Sequence, residues 1–413
     1  MATEVKNSQS TILRTAGPRG LDASVMIKNL VPESEQQRVP GPQDPVRLSQ
    51  NATTAHILTI RWTADSGWEA PQISPYSKIA LEPTASVLHY ATESFEGMKA
   101  YRGYDGKLRL FRPRLNCERM RISNDRVCLP DFDSVELLSV ITTFLALECP
   151  RWLPDPGSNL YVRPTMIGSG SALGIQRPRE ALFFLFAALF PQSSSAKVSP
   201  GIKLLASDPE QIRAWPGGFG YAKVGANYGP AMTAQAQARE AGCSQTLWLF
   251  GEDKLVTEAG ASNFFVIWRA KTSNEIELVT SSLDTKVILD GITRRSVLAL
   301  ARERLTASAD PDVLGDLKPL KVVERAFTVA EMLDVSVEGR LIEAFVSGTA
   351  MFISPVAMIR HKQQDIEFPM QVTETGLEAP VSHYSSRLKG WLEDIIYGKV
   401  DHPWAYVIEE KVS

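Results

Sequence analysis

Residues 86–111 read SVLHYATESFEGMKAYRGYDGKLRLF, and the tetrapeptide YDGK (104–107) separates two runs rich in apolar and β-prone residues. Asp-Gly between two such runs is a strong local signal for a β-hairpin. Upstream, HILTIRW (56–62) has the composition of another strand. We therefore interpret the chain from Ile57 to Phe111 as a series of short strands.

Helical spacing begins after the hairpin. Residues 115–128 (LNCERMRISNDRVC) predict one helix, and residues 134–147 (SVELLSVITTFLAL) predict a second, with its cap at Asp133 or Ser134. Two further strands are predicted at LYVRPTMIG (160–168) and ALFFLFAALF (181–190). This half of the chain is therefore expected to be α+β.

The stretch PQSSSAKVSPG (191–201) has no large apolar residue and predicts a linker between two domains. Beyond it, IKLLAS, CSQTLWLF, KLVTEA, NFFVIWR and IELVTSS have the composition of strands, and helices are predicted near 230–241 and 293–305. We expect four segments: an irregular N-terminal arm (1–50), a small α+β domain (51–190), the linker (191–201) and a larger domain (202–413).

Charge and composition exclude several classes of partner. The chain has 413 residues, with 44 Lys and Arg against 47 Asp and Glu, which lacks the strong positive field of a nucleic-acid-binding protein. The longest apolar run, 181–190, is about half as long as a membrane-spanning helix. Four scattered cysteines and five histidines show no metal-ligand spacing. We expect no nucleic acid, membrane or metal partner.

Residues 1–20 lack both the apolar core of a secretory signal and the dense Arg and Ser pattern of a transit peptide. The scattered cysteines indicate a reducing compartment. We expect a cytoplasmic protein, and the sequence leaves mitochondrial import open.

Lys223 lies in GGFGYAKVGANYG (217–229), among five glycines and two tyrosines. A lysine becomes nucleophilic when its surroundings lower its pKa, and glycines let a flat, rigid group approach the backbone. Taken alone, the same pattern also fits a solvated surface charge. The loop is a candidate site that needs support from other residues.

Other candidate groups have ordinary alternatives. Glu258 ends a predicted strand. There it could pair with a protonated ring nitrogen, or it could be a solvent-exposed turn residue. Residues 291–293 (GIT) and 348–350 (GTA) suit an anion, although Thr293 also fits a helix N-cap. One arginine of 112, 114, 119 and 121 would suit a phosphate, and spacing alone does not choose it.

Seven motifs together resemble the branched-chain amino acid aminotransferases, which are class IV aminotransferases and pyridoxal 5′-phosphate enzymes of fold type IV. In the family's order and spacing they are ESFEGMKAYRG, LRLFRPRLNCERM, LYVRPTMIG, GYAKVGANYGP, VTEAGASNFF, LDGITRRSV and VSGTAMFISPV. The resemblance extends from about Ile57 to near Trp404. It implies an α+β fold of two domains, in which the larger C-terminal domain binds the cofactor and has a β-barrel-like core.

The resemblance implies an enzyme that transfers the amino group of L-leucine, L-isoleucine and L-valine to 2-oxoglutarate. Lys223 would be the catalytic residue, holding pyridoxal 5′-phosphate as a Schiff base and moving the substrate proton. Glu258 would face the pyridine nitrogen and Tyr228 the phenolic oxygen. The phosphate would be held by Arg119, Ile292, Thr293 and Thr349.

The resemblance also implies the substrate contacts and a homodimer. Tyr161 and Arg163 would lie near the substrate carboxylate, together with the turn at Thr349 and Ala350. Phe95 and Tyr90 would wall the side-chain pocket. Such an apolar wall suits branched aliphatic side chains.

This chain departs from the family pattern at three places. Met351 and Ser354 stand where vertebrate members have a Cys-x-x-Cys pair, so we expect no thiol switch there. Ala226 replaces a common glycine in the loop, and Ala261 takes a variable place near the phosphate. None of the departures removes a catalytic group.

Three alternatives stay open on the sequence. D-Amino acid aminotransferases, (R)-selective amine transaminases and aminodeoxychorismate lyases share the fold and the lysine, although the YVRP and GTA motifs favour the branched-chain group. A branched-chain enzyme can also serve a secondary-metabolite pathway. A non-catalytic relative is disfavoured because Lys223 and Glu258 are both present.

Overall fold

The computed structural model of the chain describes residues 19–171, 173–191, 201–372 and 378–410. The predicted linker therefore falls almost wholly outside the described residues, as do residues 1–18 of the predicted arm. Residues 19–50 form only short elements: 3-10 helices Ala23–Val25 and Glu33–Glu35, strand β1 (Ile27–Lys28) and helix α1 (Pro45–Leu48). The division into domains stays a prediction.

The first half of the chain builds one sheet and two long helices. Its remaining strands are β2 (Ala52–Thr53), β3 (His56–Thr63), β4 (Gly67–Trp68), β5 (Gln72–Pro75), β6 (Glu93–Phe95), β7 (Met98–Arg102), β8 (Leu108–Phe111), β9 (Asn159–Gly168) and β10 (Glu180–Leu189). Its remaining helices are α2 (Ser86–Tyr90), α3 (Pro113–Arg126) and α4 (Ser134–Trp152).

The hairpin predicted from YDGK is confirmed. Strands β7 and β8 pair antiparallel with Arg102 opposite Leu108, and Gly103 N donates to Lys107 O at 2.9 Å across the turn. In contrast, SVLHY forms helix α2 instead of the expected strand. Buried Ser86 fixes this turn, because its hydroxyl donates to Gly168 O at 3.2 Å and lies 2.9 Å from that of Thr92.

The predicted helices are also confirmed, within about two residues at most ends. The cap of α4 is Asp133, whose Oδ1 accepts from Val135 N at 2.7 Å and Glu136 N at 3.4 Å. The helix continues to Trp152 because its last turns bury Cys149 and Trp152. Helices α3 and α4 pack their apolar faces on the sheet and close the first core.

The second half is a second α+β unit. Its strands are β11 (Ile202–Ala206), β12 (Gln245–Phe250), β13 (Leu255–Ala259), β14 (Ser262–Arg269), β15 (Ile276–Thr280), β16 (Leu320–Glu324), β17 (Leu341–Gly348), β18 (Phe352–His361), β19 (Gln364–Glu367), β20 (Met370–Val372), β21 (Glu378–Pro380) and β22 (Ala405–Ile408). Its helices are α5 (Ala231–Glu240), α6 (Ile292–Arg304), α7 (Pro311–Leu314), α8 (Val329–Val337), α9 (Tyr384–Ile396) and the 3-10 turn Gly225–Asn227.

Six of these strands close on themselves. The order is β13, β12, β11, β18, β17, β14, and the ring is completed where β14 pairs with β13 through Glu258 and Asn263. The expected β-barrel-like core is therefore confirmed. The closure matters for the site, because it places the end of β13 beside the start of β14.

Side chains alternate between two cores along β14, as the two-residue period of a strand requires. Phe264, Val266 and Trp268 join one core, which includes residues of α8. Phe265 and Ile267 join the other, which is covered by α6 and α9, and Phe265 stacks on Phe345 with ring centroids 4.8 Å apart. Both faces of β14 are therefore buried.

A strand pairing connects the two halves of the chain. The last strand, β22, pairs antiparallel with β8 and extends the N-terminal sheet, whose order is β1, β5, β3, β10, β9, β7, β8, β22. Sequence pattern did not predict this return, because pairing partners distant in sequence leave no local signal. No helix within the described ranges is long and apolar enough to cross a membrane.

Candidate active site

The glycine loop is fastened to the first half of the chain at the backbone of Lys223. Lys223 N donates to Ser123 Oγ of α3 at 2.8 Å, and Lys223 O accepts from Phe95 N of β6 at 3.1 Å. The next residue, Val224, forms an isolated bridge with Ser94. The lysine therefore lies where the two halves of the chain meet.

The side chain of Lys223 points between aromatic rings. Its Nζ donates to the hydroxyl of Tyr228 at 3.1 Å and lies 4.8 Å from the ring centroid of Phe95. The Phe95 and Tyr228 rings are themselves 5.1 Å apart. The lysine is therefore not the free surface charge that its sequence context alone allowed.

Close packing requires the glycine at 220 and crowds the glycine at 225. A Cβ at Gly220 would lie 2.5 Å from the carbonyl oxygen of Val287, which is backbone and cannot move aside. A Cβ at Gly225 would lie 2.4 Å from Glu93 Oε2. The loop is tightly packed there, so these glycines permit close approach of the chain to itself.

Glu258 is a buried carboxylate at the end of β13, only 2 % exposed. Its Oε1 accepts from Asn263 Nδ2 at 3.2 Å and from Leu289 N at 3.3 Å. Its Oε2 lies 2.5 Å from Nη1 of Arg213. Burial raises the pKa of Glu258, and the positive charge of Arg213 is the largest influence that opposes this rise.

The structure distinguishes Arg119 from the other arginines of its helix. Arg119 is buried, with Nε and Nη2 donating to Glu96 at 2.7 and 2.8 Å. Burial disfavours its charge, but the neighbouring acidic groups, of which Glu96 contributes most, together raise the pKa of the guanidinium. By comparison, Arg112 stacks on Trp404 and Arg121 pairs with exposed Asp131.

Arg119 also reaches the start of helix α6, since its Nη1 donates to Asp290 O at 3.1 Å. The N-cap of α6 is Gly291, which provides no side-chain cap, so Thr293 is not the N-cap. Ile292, Thr293 and Thr349 line one small cavity. Arg119 therefore lies beside the uncapped start of α6, whose first two residues share a cavity with Thr349, and a helix start of this kind suits an anion.

Lys99 also lines this cavity. Lys99 Nζ donates to Ala350 O at 2.7 Å, and burial lowers the pKa of Lys99 to about 8. The hydroxyl of Thr349 donates to Gly97 O at 3.4 Å. The turn containing Thr349 and Ala350 is thus tied to β7 of the first half.

Tyr161 and Arg163 come together on β9. Arg163 Nη2 donates to Tyr161 Oη at 2.5 Å, and the guanidinium lies 4.6 Å from the ring centroid of Phe95. Tyr161 also stacks on Phe190 at 4.6 Å. The structure therefore groups a phenol and a guanidinium beside the aromatic ring that faces Lys223.

Tyr90 lies further out. Its side chain is 39 % exposed at the end of α2, and its hydroxyl donates to the carbonyl oxygen of Leu173. Its place in a pocket wall stays a prediction.

Sequence reasoning missed four charged residues: Glu93, Glu96, Lys99 and Arg213. Glu93, Glu96 and Lys99 lie within a motif quoted above, so the residue pattern contained them without indicating their contacts. Arg213 follows β11 in a segment without helix or strand, and no sequence signal connects it with Glu258.

The side chains present fit pyridoxal 5′-phosphate. The amine of Lys223 and the phenol of Tyr228 suit its aldehyde and ring oxygen, and the uncapped start of α6 suits its phosphate. Glu258 Oε2 and Arg213 Nη1 are buried and have no hydrogen-bond partner among the described residues, despite their short contact. A carboxylate oxygen with a free lone pair suits the N–H of a protonated ring.

A larger cavity, about 600 Å³, is lined by Glu303, Arg304, Asp310, Asp312, Val313, Arg387 and Trp391. It includes none of the predicted site residues. The chemistry is therefore assigned to the smaller, buried site.

Comparisons with known proteins agree with this geometry. Residues 93–359 match the family model of the class IV aminotransferases. The mitochondrial branched-chain-amino-acid aminotransferase of Schizosaccharomyces pombe is 39% identical over 406 residues, covering 96% of this chain and 88% of that protein. The cytosolic enzyme of Mus musculus is 42% identical over 364 residues, covering 87% of this chain and 88% of that protein.

Solved structures show the same fold. The branched-chain amino acid aminotransferase of Thermobaculum terrenum in its PLP form superposes with a TM-score of 0.63, covering 86% of this chain and 98% of that one at 22% identity. The enzyme of Escherichia coli gives a TM-score of 0.61, covering 85% of this chain and 99% of that one at 20% identity.

These matches extend over most of the chain, and the sequence identity of the curated relatives is too high for a shared fold alone. The chain belongs to the branched-chain-amino-acid aminotransferases of the class IV aminotransferase family.

Proposed function

We propose that this chain transfers the amino group of L-leucine, L-isoleucine and L-valine to 2-oxoglutarate, with pyridoxal 5′-phosphate held covalently through Lys223. The observation that supports this most directly is the meeting of Lys223 and Tyr228 at 3.1 Å in a chain of this family. Glu258 and the anion site at the start of α6 supply the other two groups that such a cofactor needs.

When bound, pyridoxal 5′-phosphate supplies an aldehyde carbon that takes the amino group and an electron-withdrawing ring that stabilises the carbanion. The chain supplies the rest. Lys223 Nζ would be the base that takes the proton from the substrate Cα. Tyr228 Oη, which accepts a hydrogen bond from Nζ, orients that amine and would donate to the ring oxygen.

Glu258 and Arg119 have separate electrostatic roles. Glu258 Oε2 would accept a hydrogen bond from the N–H of the protonated ring, and the burial of Glu258 would strengthen that bond because little water competes. Arg119 is held by Glu96, and the N–H groups of its guanidinium that are not used in this pair lie beside the start of α6. Ile292, Thr293 and Thr349 complete the phosphate site through backbone N–H groups and hydroxyls.

The proposed substrate site lies beside Phe95, whose ring faces both Lys223 Nζ and the guanidinium of Arg163. Arg163 and Tyr161 receive its carboxylate, together with the turn at Thr349 and Ala350. Phe95 forms the apolar wall for the branched side chain, and Tyr90 extends that wall toward the surface. An aliphatic side chain buries apolar area there without leaving a charge unpaired.

We further propose a homodimer, a cytoplasmic location and two domains, 51–190 and 202–413, joined at 191–201. Relatives at similar identity include both cytosolic and mitochondrial proteins, which supports either compartment. Light scattering of the purified protein tests the dimer, and fractionation of the source cells tests the location.

The proposed activity is tested by half-reactions. Purified protein is loaded with pyridoxal 5′-phosphate and mixed with each L- and D-amino acid while the cofactor absorbance is followed. Borohydride reduction and peptide mass spectrometry then locate the cofactor. We expect conversion by L-leucine, L-isoleucine, L-valine and L-glutamate, and a cofactor adduct on Lys223.

The control is Lys223→Ala, which should form no adduct and should not convert substrate. Conversion by this variant at the parent's rate would overturn the assignment of Lys223. Activity on D-alanine or an (R)-amine, with none on L-leucine, would instead identify another selectivity of fold type IV. Absence of any adduct would indicate a non-catalytic relative.

A further inference from the structure

The side chain of Arg213 is buried against the carboxylate of Glu258. The two side chains are 7% and 2% exposed, and Nη1 lies 2.5 Å from Oε2. Arg213 belongs to a segment without helix or strand, whereas Glu258 ends a barrel strand. The next residue, Ala214, packs with Val287 and Ile288, which lie in the segment between β15 and α6.

A carboxylate at this depth needs a counter-charge. The two hydrogen bonds to Glu258 Oε1 come from neutral donors, Asn263 and Leu289, at 3.2 and 3.3 Å. Neutral donors at those distances compensate an ionised group only in part. Three cations oppose the effect of burial on Glu258, in the order Arg213, Lys223 and Arg119. Arg213 is the one in direct contact.

The contact is an ion pair without a directed hydrogen bond. Both Nη1 and Oε2 lack a hydrogen-bond partner among the described residues, although they are 2.5 Å apart. The lone pair of Oε2 therefore stays available to a donor from another direction. Arg213 supplies charge to Glu258 and leaves its acceptor position open.

We propose that Arg213 is a positioning residue, which keeps Glu258 ionised and oriented so that Oε2 can accept the ring N–H of pyridoxal 5′-phosphate. This inference rests on the proposed function. Without Arg213, the carboxyl group takes up a proton at a higher pH and presents a donor where an acceptor is needed. Arg213 itself touches neither substrate nor reacting atoms in this role.

The test compares Arg213→Met with Arg213→Lys, which keeps the charge. The dissociation constant of pyridoxal 5′-phosphate is measured by fluorescence titration of the cofactor-free protein at pH 6 and pH 8.5. We expect Arg213→Met to bind roughly tenfold more weakly or worse at pH 6. The dissociation constant of Arg213→Met divided by that of wild type should be smaller at pH 8.5, because Glu258 ionises at that pH without Arg213. Arg213→Lys should restore most of the affinity at both pH values.

The matched control is Arg121→Met, which breaks the exposed ion pair with Asp131. It should leave the dissociation constant unchanged at both pH values. A loss in Arg213→Met that is equal at pH 6 and pH 8.5, or that Arg213→Lys fails to repair, would overturn the inference, because it would indicate a purely structural role.

Cofactor-free stability gives a second measurement, which does not depend on binding. If Arg213→Met is unstable because Glu258 is left as an uncompensated buried charge, Glu258→Gln in the same chain should restore the urea midpoint. A double variant as unstable as Arg213→Met would overturn the inference. Wild-type protein that binds no pyridoxal 5′-phosphate would overturn the proposed function, whereas this stability comparison would still decide whether Arg213 serves Glu258.

Discussion

We expect the buried ion pair between Glu96 and Arg119 to make a large contribution to the stability of the protein at the anion site. Glu96 is 1% exposed and accepts from Arg119 Nε and Nη2 at 2.7 and 2.8 Å. Asn116 Nδ2 donates to it as well, at 2.8 Å. Glu96→Gln removes the negative charge and turns one acceptor into a donor that faces the guanidinium.

Removal of one partner from a buried ion pair costs about 3–5 kcal/mol, because the other charge is left uncompensated. Glutamine keeps the shape and one acceptor, so we expect a loss of about 3 kcal/mol in the cofactor-free protein. The measurement is urea unfolding followed by tryptophan fluorescence at one protein concentration. The control, Asp131→Asn, breaks the exposed pair with Arg121 and should cost less than about 1 kcal/mol.

The same variant tests where the phosphate binds. If the phosphate of pyridoxal 5′-phosphate lies at Arg119, its charge replaces the missing carboxylate, and the loss of stability is smaller in the loaded protein. A loss below about 1 kcal/mol without cofactor would refute the electrostatic argument. Equal losses with and without cofactor would place the phosphate elsewhere.

Three further variants test other parts of the structure. Asp133→Ala removes the cap of α4 and should lower the unfolding free energy by about 1 kcal/mol in urea unfolding. Burial raises the pKa of Glu343 from 4.5 to about 7, so its stabilising effect is complete below pH 4.5 and is lost as the pH rises through 7. The unfolding free energy of Glu343→Gln minus that of wild type should therefore increase by on the order of 3 kcal/mol from pH 4.5 to pH 8. Burial raises the pKa of half-buried Glu93, and the positive charge of Arg163 opposes part of that rise. When ionised, Glu93 should repel a second substrate carboxylate. Glu93→Gln should raise kcat/KM for L-glutamate relative to L-leucine by roughly tenfold, because two nearby carboxylates at an effective dielectric constant near 20 repel by on the order of 1 kcal/mol or more.

Much of the secondary structure could be predicted because its signals are local. Asp-Gly between β-rich runs predicted the hairpin, and Asp133 before an apolar helical pattern predicted the cap of α4. Residues 86–90 were predicted wrongly as strand, because the hydrogen bond from Ser86 Oγ to Gly168 O that fixes this helix joins residues far apart in sequence. The return of β22 to the first sheet was missed for the same reason.

The same distinction between local and long-range determinants applies to the candidate active site. The sequence by itself determined the family, the order of the seven motifs and the identity of the candidate lysine, because residue types and their spacing are properties of the chain. Only the tertiary structure decided that Arg119 is buried while its neighbour Arg121 is exposed, that Arg213 faces Glu258 and that Lys223 lies between Phe95 and Tyr228. Those pairings depend on barrel closure and on burial, which bring together side chains with no relation in the sequence and strengthen the interactions between their charges.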